Sequence, residues 1–183
     1  MEIVKYGNPV LRAKGARIET ITDEIRQLAD AMIETMNAAN GVGLAAQQVG
    51  HALQLAIVDV AGVDDRPSVL LIDGKEVKID DWMPMVLLNP VLELGKEKEF
   101  GTEGCLSFPE ISAEIQRSVV VKAKARLIDG REVEFEARGF LARALQHEVD
   151  HLNGILFIDR MNSATKASLA GKLKRMQKTG SPR

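Results

Sequence analysis

The chain contains one cysteine, Cys105, among 183 residues. An intramolecular disulfide is therefore excluded, and a free thiol fits a reducing compartment. Neither sign of charge dominates: 24 Lys and Arg stand against 26 Asp and Glu, a net charge of −2. Such a balance exerts no global pull toward nucleic acid or membrane, so any contact of that kind must be local. The start, Met1-Glu2-Ile3-Val4-Lys5, lacks the basic, then apolar, then small-residue order of a secretory signal, and no apolar run of about 18 residues could span a bilayer. The expected location is the cytoplasm. Internal repeats and low-complexity segments are also lacking, and with 45% hydrophobic residues the expectation is one compact domain over 1–183.

What is present is concentrated in three short stretches. The most informative is Gln146-His147-Glu148-Val149-Asp150-His151-Leu152-Asn153-Gly154. Two histidines four apart share one face of a helix, so both rings can reach one divalent cation, and the glutamate between them can work on a water that the ion activates. Phe140 and Ala144 continue the histidine face, while Leu141, Leu145, Val149 and Leu152 line another. A helix apolar on two sides is expected to be internal. A single histidine on such a face is more often a hydrogen-bonded core residue, so the ligand reading depends on a third donor.

That donor does not follow in sequence. A zinc protease of the extended motif has a histidine where this chain has Phe157, no histidine follows His151, and Asp159 is the one later carboxylate. The third ligand is therefore expected upstream. Cys105, in the Gly-flanked Glu103-Gly104-Cys105-Leu106-Ser107, is a better candidate than His51, because a thiolate is a strong soft ligand. Taken alone it reads as a small buried hydrophobe. The third stretch is Gly41-Val42-Gly43-Leu44-Ala45-Ala46-Gln47-Gln48. Its two glycines let backbone approach a ligand, but it lacks the third glycine of a dinucleotide fingerprint and the Gly-Lys-Ser/Thr of a P-loop.

In this order and at full match, the three stretches resemble those of the peptide deformylase family. The resemblance extends to Asn8-Pro9-Val10-Leu11-Arg12 and Asn89-Pro90, and so covers nearly the whole chain. It departs in the longer segment 64–85 and in Gln47, at a variable position. It implies a metallo-hydrolase that removes the N-formyl group from the N-terminal formylmethionine of nascent polypeptides, releasing formate. The implied metal ligands are Cys105, His147 and His151, with Glu148 as general base and with the Gln48 side chain and Leu106 N–H stabilising charge on the formyl oxygen. Backbone at Val42 and Gly43 would hold the substrate. The implied ion is Fe2+, with Zn2+, Ni2+ or Co2+ also suited to the donors. The alternatives are a zinc-dependent peptidase, and a non-catalytic ribosome-binding module.

The remaining pattern predicts an α+β fold, short and mostly antiparallel strands surrounding a central metal-binding helix. The stretch 1–14 reads as an irregular surface arm. Ile25, Leu28, Ala29, Met32, Ile33 and Met36 recur at helical spacing after a cap at Thr22 or Asp23. Strands are expected at 54–60, in a hairpin over 69–79 turning at Asp73-Gly74, at 85–88 with an interruption near Pro90, at 119–127, and at 132–136. A final helix is expected over about 162–178, carrying Lys166, Lys172, Lys174, Arg175 and Lys178 and no acid. It reads as a solvated tail or, by the resemblance, as a docking element for the ribosome near the emerging peptide. A monomer is expected.

Overall fold

The computed structural model describes residues 1–181. Helix α1 spans Asp23–Ala38, capped by the Thr22 hydroxyl, which accepts the Ile25 N–H, and with Asp23 and Glu24 in the first turn, where free N–H groups favour acids. Ala29, Met32 and Met36 form its buried stripe. It stops in a Schellman turn: Asn40 adopts φ 53°, while the Gly41 and Asn40 N–H groups return to the carbonyls of Met36 and Asn37. The helix end thereby delivers the chain, at a fixed angle, into the first glycine stretch.

Strands β1 (Gly43–Ala45) and β2 (Leu55–Val58) follow, separated by a 3-10 turn at Ala46–Val49. The longer segment forms a hairpin as expected, β3 (Ser68–Ile72) and β4 (Lys75–Val77), with Asp73 and Gly74 both at positive φ. Then come β5 (Met85–Leu94), β6 (Lys98–Gly104), β7 (Ser112–Ser118), β8 (Val120–Leu127) and β9 (Glu132–Gly139). Helix α2 is Phe140–Leu152, and α3 is Ser163–Gly180. Seven strands form one sheet in the order β1-β2-β5-β8-β9-β3-β4, with antiparallel pairs throughout, and β6 pairs with β7 in a second, two-stranded sheet.

Three expectations need revision. Strand β5 does not stop at Pro90: a bulge between Leu88 and Val91 takes Asn89 and Pro90 out of register, so the missing proline N–H falls where no ladder bond is needed. The Asn89 amide accepts the Ile18 N–H and donates to the Ile18 carbonyl, tying the bulge to the N-terminal segment. The strand expected to begin at Val119 is preceded by another, β7, unseen in sequence because Arg117 occupies one of its inward positions and disguises the alternation. The N-terminal arm, finally, is partly internal: Leu11 is buried, and the N–H groups of Val4 and Tyr6 donate to the carbonyls of Gln48 and Ser107.

Helix α2 is buried along almost its whole length, between the sheets. Its first N–H groups are capped from the longer segment: Phe140 N–H donates to the Pro67 carbonyl and Leu141 N–H to the Ser68 hydroxyl. Gly139 permits this approach, since a Cβ there would lie 2.3 Å from the Pro67 oxygen. Helix α3 starts at an Asn162 cap and lays Leu173, Leu169 and Met176 against a cluster that includes Leu11, Phe108 and Phe157. Among the described residues no helix is long and apolar enough to cross a membrane.

Candidate metal centre

Two elements meet at one point. Helix α2 supplies His147 and His151, and the turn after β6 supplies Cys105, closed by a bond from the Phe108 N–H to the Cys105 carbonyl. One ligand atom from each of these side chains lies within 4.8 Å of the others. Cys105 Sγ is 3.3 Å from His151 Nε2, close to the roughly 3.5 Å that separates sulfur and nitrogen on one tetrahedral zinc-sized ion with bonds of about 2.3 and 2.0 Å. The donor set and spacing therefore fit a divalent ion. His51 stays exposed, and Asp159 forms an ion pair with Arg12.

The surroundings orient these donors. His147 Nδ1 is 2.9 Å from Glu103 Oε2, which turns Nε2 toward the cysteine side. Glu103 is itself held by Arg117, through Nε at 2.8 Å and the terminal nitrogen at 3.0 Å, and by Arg143 at 3.0 Å. Burial alone would raise its pKa, but the hydrogen bonds from His147 and Arg117 outweigh it and hold the carboxyl at about 2. Arg117 also donates to Asp150 at 2.6 Å, and Arg160 makes a two-pronged pair with the same carboxylate at 2.8 and 3.1 Å. Burial, with the charges of His147 and Arg117, pushes His151 well down, leaving a neutral imidazole.

Glu148 differs from these groups. Its carboxyl is buried, Oε2 has no hydrogen-bond partner among the described residues, and burial pushes its pKa up to about 7. The place for it is made by Gly43, where a Cβ would stand 2.2 Å from Glu148 Oε1. Gln48 is fixed at its oxygen end by the Ala45 N–H, and its Nε2 reaches Ser107 Oγ at 3.3 Å and Cys105 Sγ at 3.5 Å. Val42, Gly43, Gln48, Leu106 and Glu148 thus border one cleft of about 710 Å³, with Cys105 and His147 in its wall. Asp59 N–H already occupies the Val42 carbonyl, and the alternation of an antiparallel pair then turns the Gly43 N–H and carbonyl away from β2, toward the cleft.

The structure thus brings residues of all three stretches together. Reading residues alone did not single out Glu103, Arg117, Arg143 or Asp150 as supports. Signals existed: Glu103 and Asp150 sit inside the matched stretches, and Arg117 and Arg143 are charges at inward positions, where burial demands partners.

Comparison with known proteins agrees with this geometry. A family model described as polypeptide deformylase matches residues 1–167. A peptide deformylase of Methylacidiphilum infernorum is 45% identical over 178 residues, covering 97% of this chain and 93% of that protein, and one of Opitutus terrae is 40% identical over 180 residues, covering 97% and 93%. Among solved structures, peptide deformylase 1B of Arabidopsis thaliana superposes with a TM-score of 0.81 at 36% identity, covering 98% of this chain and 91% of that one. The Thermus thermophilus peptide deformylase gives 0.80 at 34%, covering 97% and 98%.

Proposed function

The chain belongs to the peptide deformylase family, and from that premise we propose how its own residues remove the N-formyl group from nascent polypeptides. Cys105, His147 and His151 would hold a divalent ion, which when bound would supply Lewis acidity and lower the pKa of a nearby water. Glu148 takes the proton of the attacking water and returns it to the departing amine, a role supported by the free lone pairs of Oε2 beside the ligands. The Gln48 amide and the Leu106 N–H stabilise the charge that develops on the formyl oxygen; one such donor is worth about 3 kcal/mol. Backbone at Gly43, with Val42 beside it, receives the substrate as an added strand, and backbone pairing tolerates many sequences.

The observation that carries this reading is an unpartnered buried carboxylate next to three converging donors. A structural zinc site needs four closed ligands and no base, which disfavours a non-catalytic ribosome-binding module. A zinc peptidase is disfavoured by the cysteine ligand and the family membership. All the donors come from one chain, which supports action as a monomer, and the proposed place of action is the cytoplasm. We take Fe2+ as the native ion, while thiolate and imidazole donors also accept Zn2+, Ni2+ or Co2+. Metal analysis of anaerobically purified protein tests this, and fully active protein containing zinc alone would overturn it. Cys105→Ser is expected to lose tight metal binding and formate release together. A variant that keeps one equivalent of metal at unchanged affinity would remove Cys105 from the ligand set.

Docking to the ribosome is the second part of the proposal. Helix α3 buries its apolar stripe against the body, and Lys166, Lys174, Arg175 and Lys178 are left exposed, as phosphate contacts require. Truncation would uncover the packed cluster, so charge reversal is the cleaner test. Lys174→Glu with Lys178→Glu is expected to weaken ribosome association in a salt-dependent way, with turnover of a short formyl-peptide unchanged. Equal ribosome binding by both proteins would rule docking out.

A further inference from the structure

The face of α2 turned away from the metal centre borders a groove of its own. It measures about 660 Å³, and Gln146, Val149 and Asp150 line it from the helix. Another wall is the far half of β5. Strand β2 stops pairing at Leu55, opposite Leu88, so beyond the bulge β5 has β8 on one side and no strand on the other. The Gly95 N–H donates to the Val120 carbonyl, in register with Glu93 opposite Lys122. By the alternation of antiparallel pairing, Leu92 and Leu94 therefore turn their N–H and carbonyl groups toward the free side. An edge of this kind is ordinarily blunted by charges on the strand itself. Here Val91 and Leu94 are 63% and 54% exposed, and the one charge beyond the bulge, Glu93, stands opposite Lys122 of β8.

The charge around this edge is one-sided. Lys14, Arg17, Lys98, Arg117 and Arg160 line the groove against a single acid, Asp150, which Arg117 and Arg160 already hold. Lys14 and Lys98 are exposed, and the lysine ion pairs among the described residues are those of Lys78, Lys124 and Lys172. We propose that the groove is a docking site for an extended, acidic segment of a partner protein, which adds to the free edge of β5 as a further strand. The backbone groups of Leu92 and Leu94 call for an extended polypeptide, the basic walls call for acidic side chains on it, and Val91 and Leu94 cover apolar residues between those acids. A second copy of this chain fits less well, because pairing edge to edge would set the basic walls of both copies against each other. A nucleic acid would meet the charges and leave the strand edge and the apolar pair without partners. Since α2 separates the groove from the catalytic cleft, partner and formylated substrate are held at the same time.

The test uses a dye-labelled, N-acetylated octapeptide of alternating glutamate and leucine, titrated with the full chain and followed by fluorescence anisotropy. Saturable binding is expected, weakened by salt. Lys14→Glu with Lys98→Glu should weaken it by about tenfold or more, and peptides with backbone N-methyl groups at alternate positions should lose it. The double variant should turn over a short formyl-peptide as the parent does, which shows that it is folded. Lack of saturation at about 1 mM protein, or binding indifferent to both the charge reversal and N-methylation, would overturn the docking site. Inhibition of formate release by the octapeptide would place it in the catalytic cleft and overturn the site as well. Two further results would replace the occupant: tighter binding of a single-stranded RNA probe that is lost in the double variant, or self-association of the parent chain in sedimentation that the double variant alters.

Discussion

The two sides of α2 bury polar groups to similar depth and treat them in opposite ways. Away from the cleft, Gln146 accepts the Ser118 N–H and donates to the Ser118 and Ala142 carbonyls, while Asp150 is held by Arg117 and Arg160. On the cleft side, Glu148 Oε2 has no partner among the described residues. A buried acceptor without a donor costs about 1–3 kcal/mol, and a fold that meets this need one helical turn away had the means to meet it here. The satisfied side holds the helix in place. The unsatisfied side is kept open for an ion, a water and a substrate.

The largest effect expected from this comparison is on Glu148. Glu148→Gln keeps shape and reach but cannot take a proton, so kcat should fall by about 10³-fold with metal retained at one equivalent. Formate release and metal stoichiometry measured on one preparation decide the matter: near-normal kcat in a fully metallated variant would refute the base, and loss of metal would make Glu148 a ligand. On the other side, Asp150→Asn should destabilise the protein by about 3 kcal/mol, since it leaves two guanidinium groups short of a buried anion. The kcat of the folded fraction should stay within about threefold of the parent. Urea unfolding checks the first expectation, and a loss of kcat of Glu148→Gln size would erase the distinction between the sides.

Glu103 belongs to both sides, and pH isolates its share. Its pKa is about 2 in the folded chain, against an ordinary 4.5. A lowered folded value means that the contribution is fully present above about pH 4.5 and is lost as pH falls through about 2, with a size on the order of 3 kcal/mol. The urea midpoint should therefore drop over that window, and the gap between the parent and Glu103→Gln should close within it; a gap constant down to pH 2.5 would contradict the ion-pair account. The smallest effect expected is on the metal. Glu103→Gln loosens His147 without removing a ligand, so affinity for the ion should fall by about 10- to 100-fold, as competition with a chelator would show. Unchanged affinity would leave Glu103 a purely structural residue.

The sequence by itself determined the chemistry. Histidines at i and i+4 share one face in any helix and can reach one ion, and the hydrophobic periods of α1, β8 and β9 dictate those elements, because side-chain direction follows backbone geometry within a few residues. The order of the three matched stretches, through the family resemblance, pointed to Cys105, His147 and His151 as a cluster, and the structure brings these side chains together. What only the tertiary structure decided depends on residues distant in sequence. That Glu103 of β6 orients His147, that Pro67 and Ser68 cap α2, and that Gly43 clears room for Glu148 are facts of which segments pack together. The bulge at Asn89-Pro90 and the second sheet were hidden for the same reason. A buried arginine or a strand proline violates local pattern, and its compensation, a partner carboxylate or a register shift, is supplied from elsewhere in the chain.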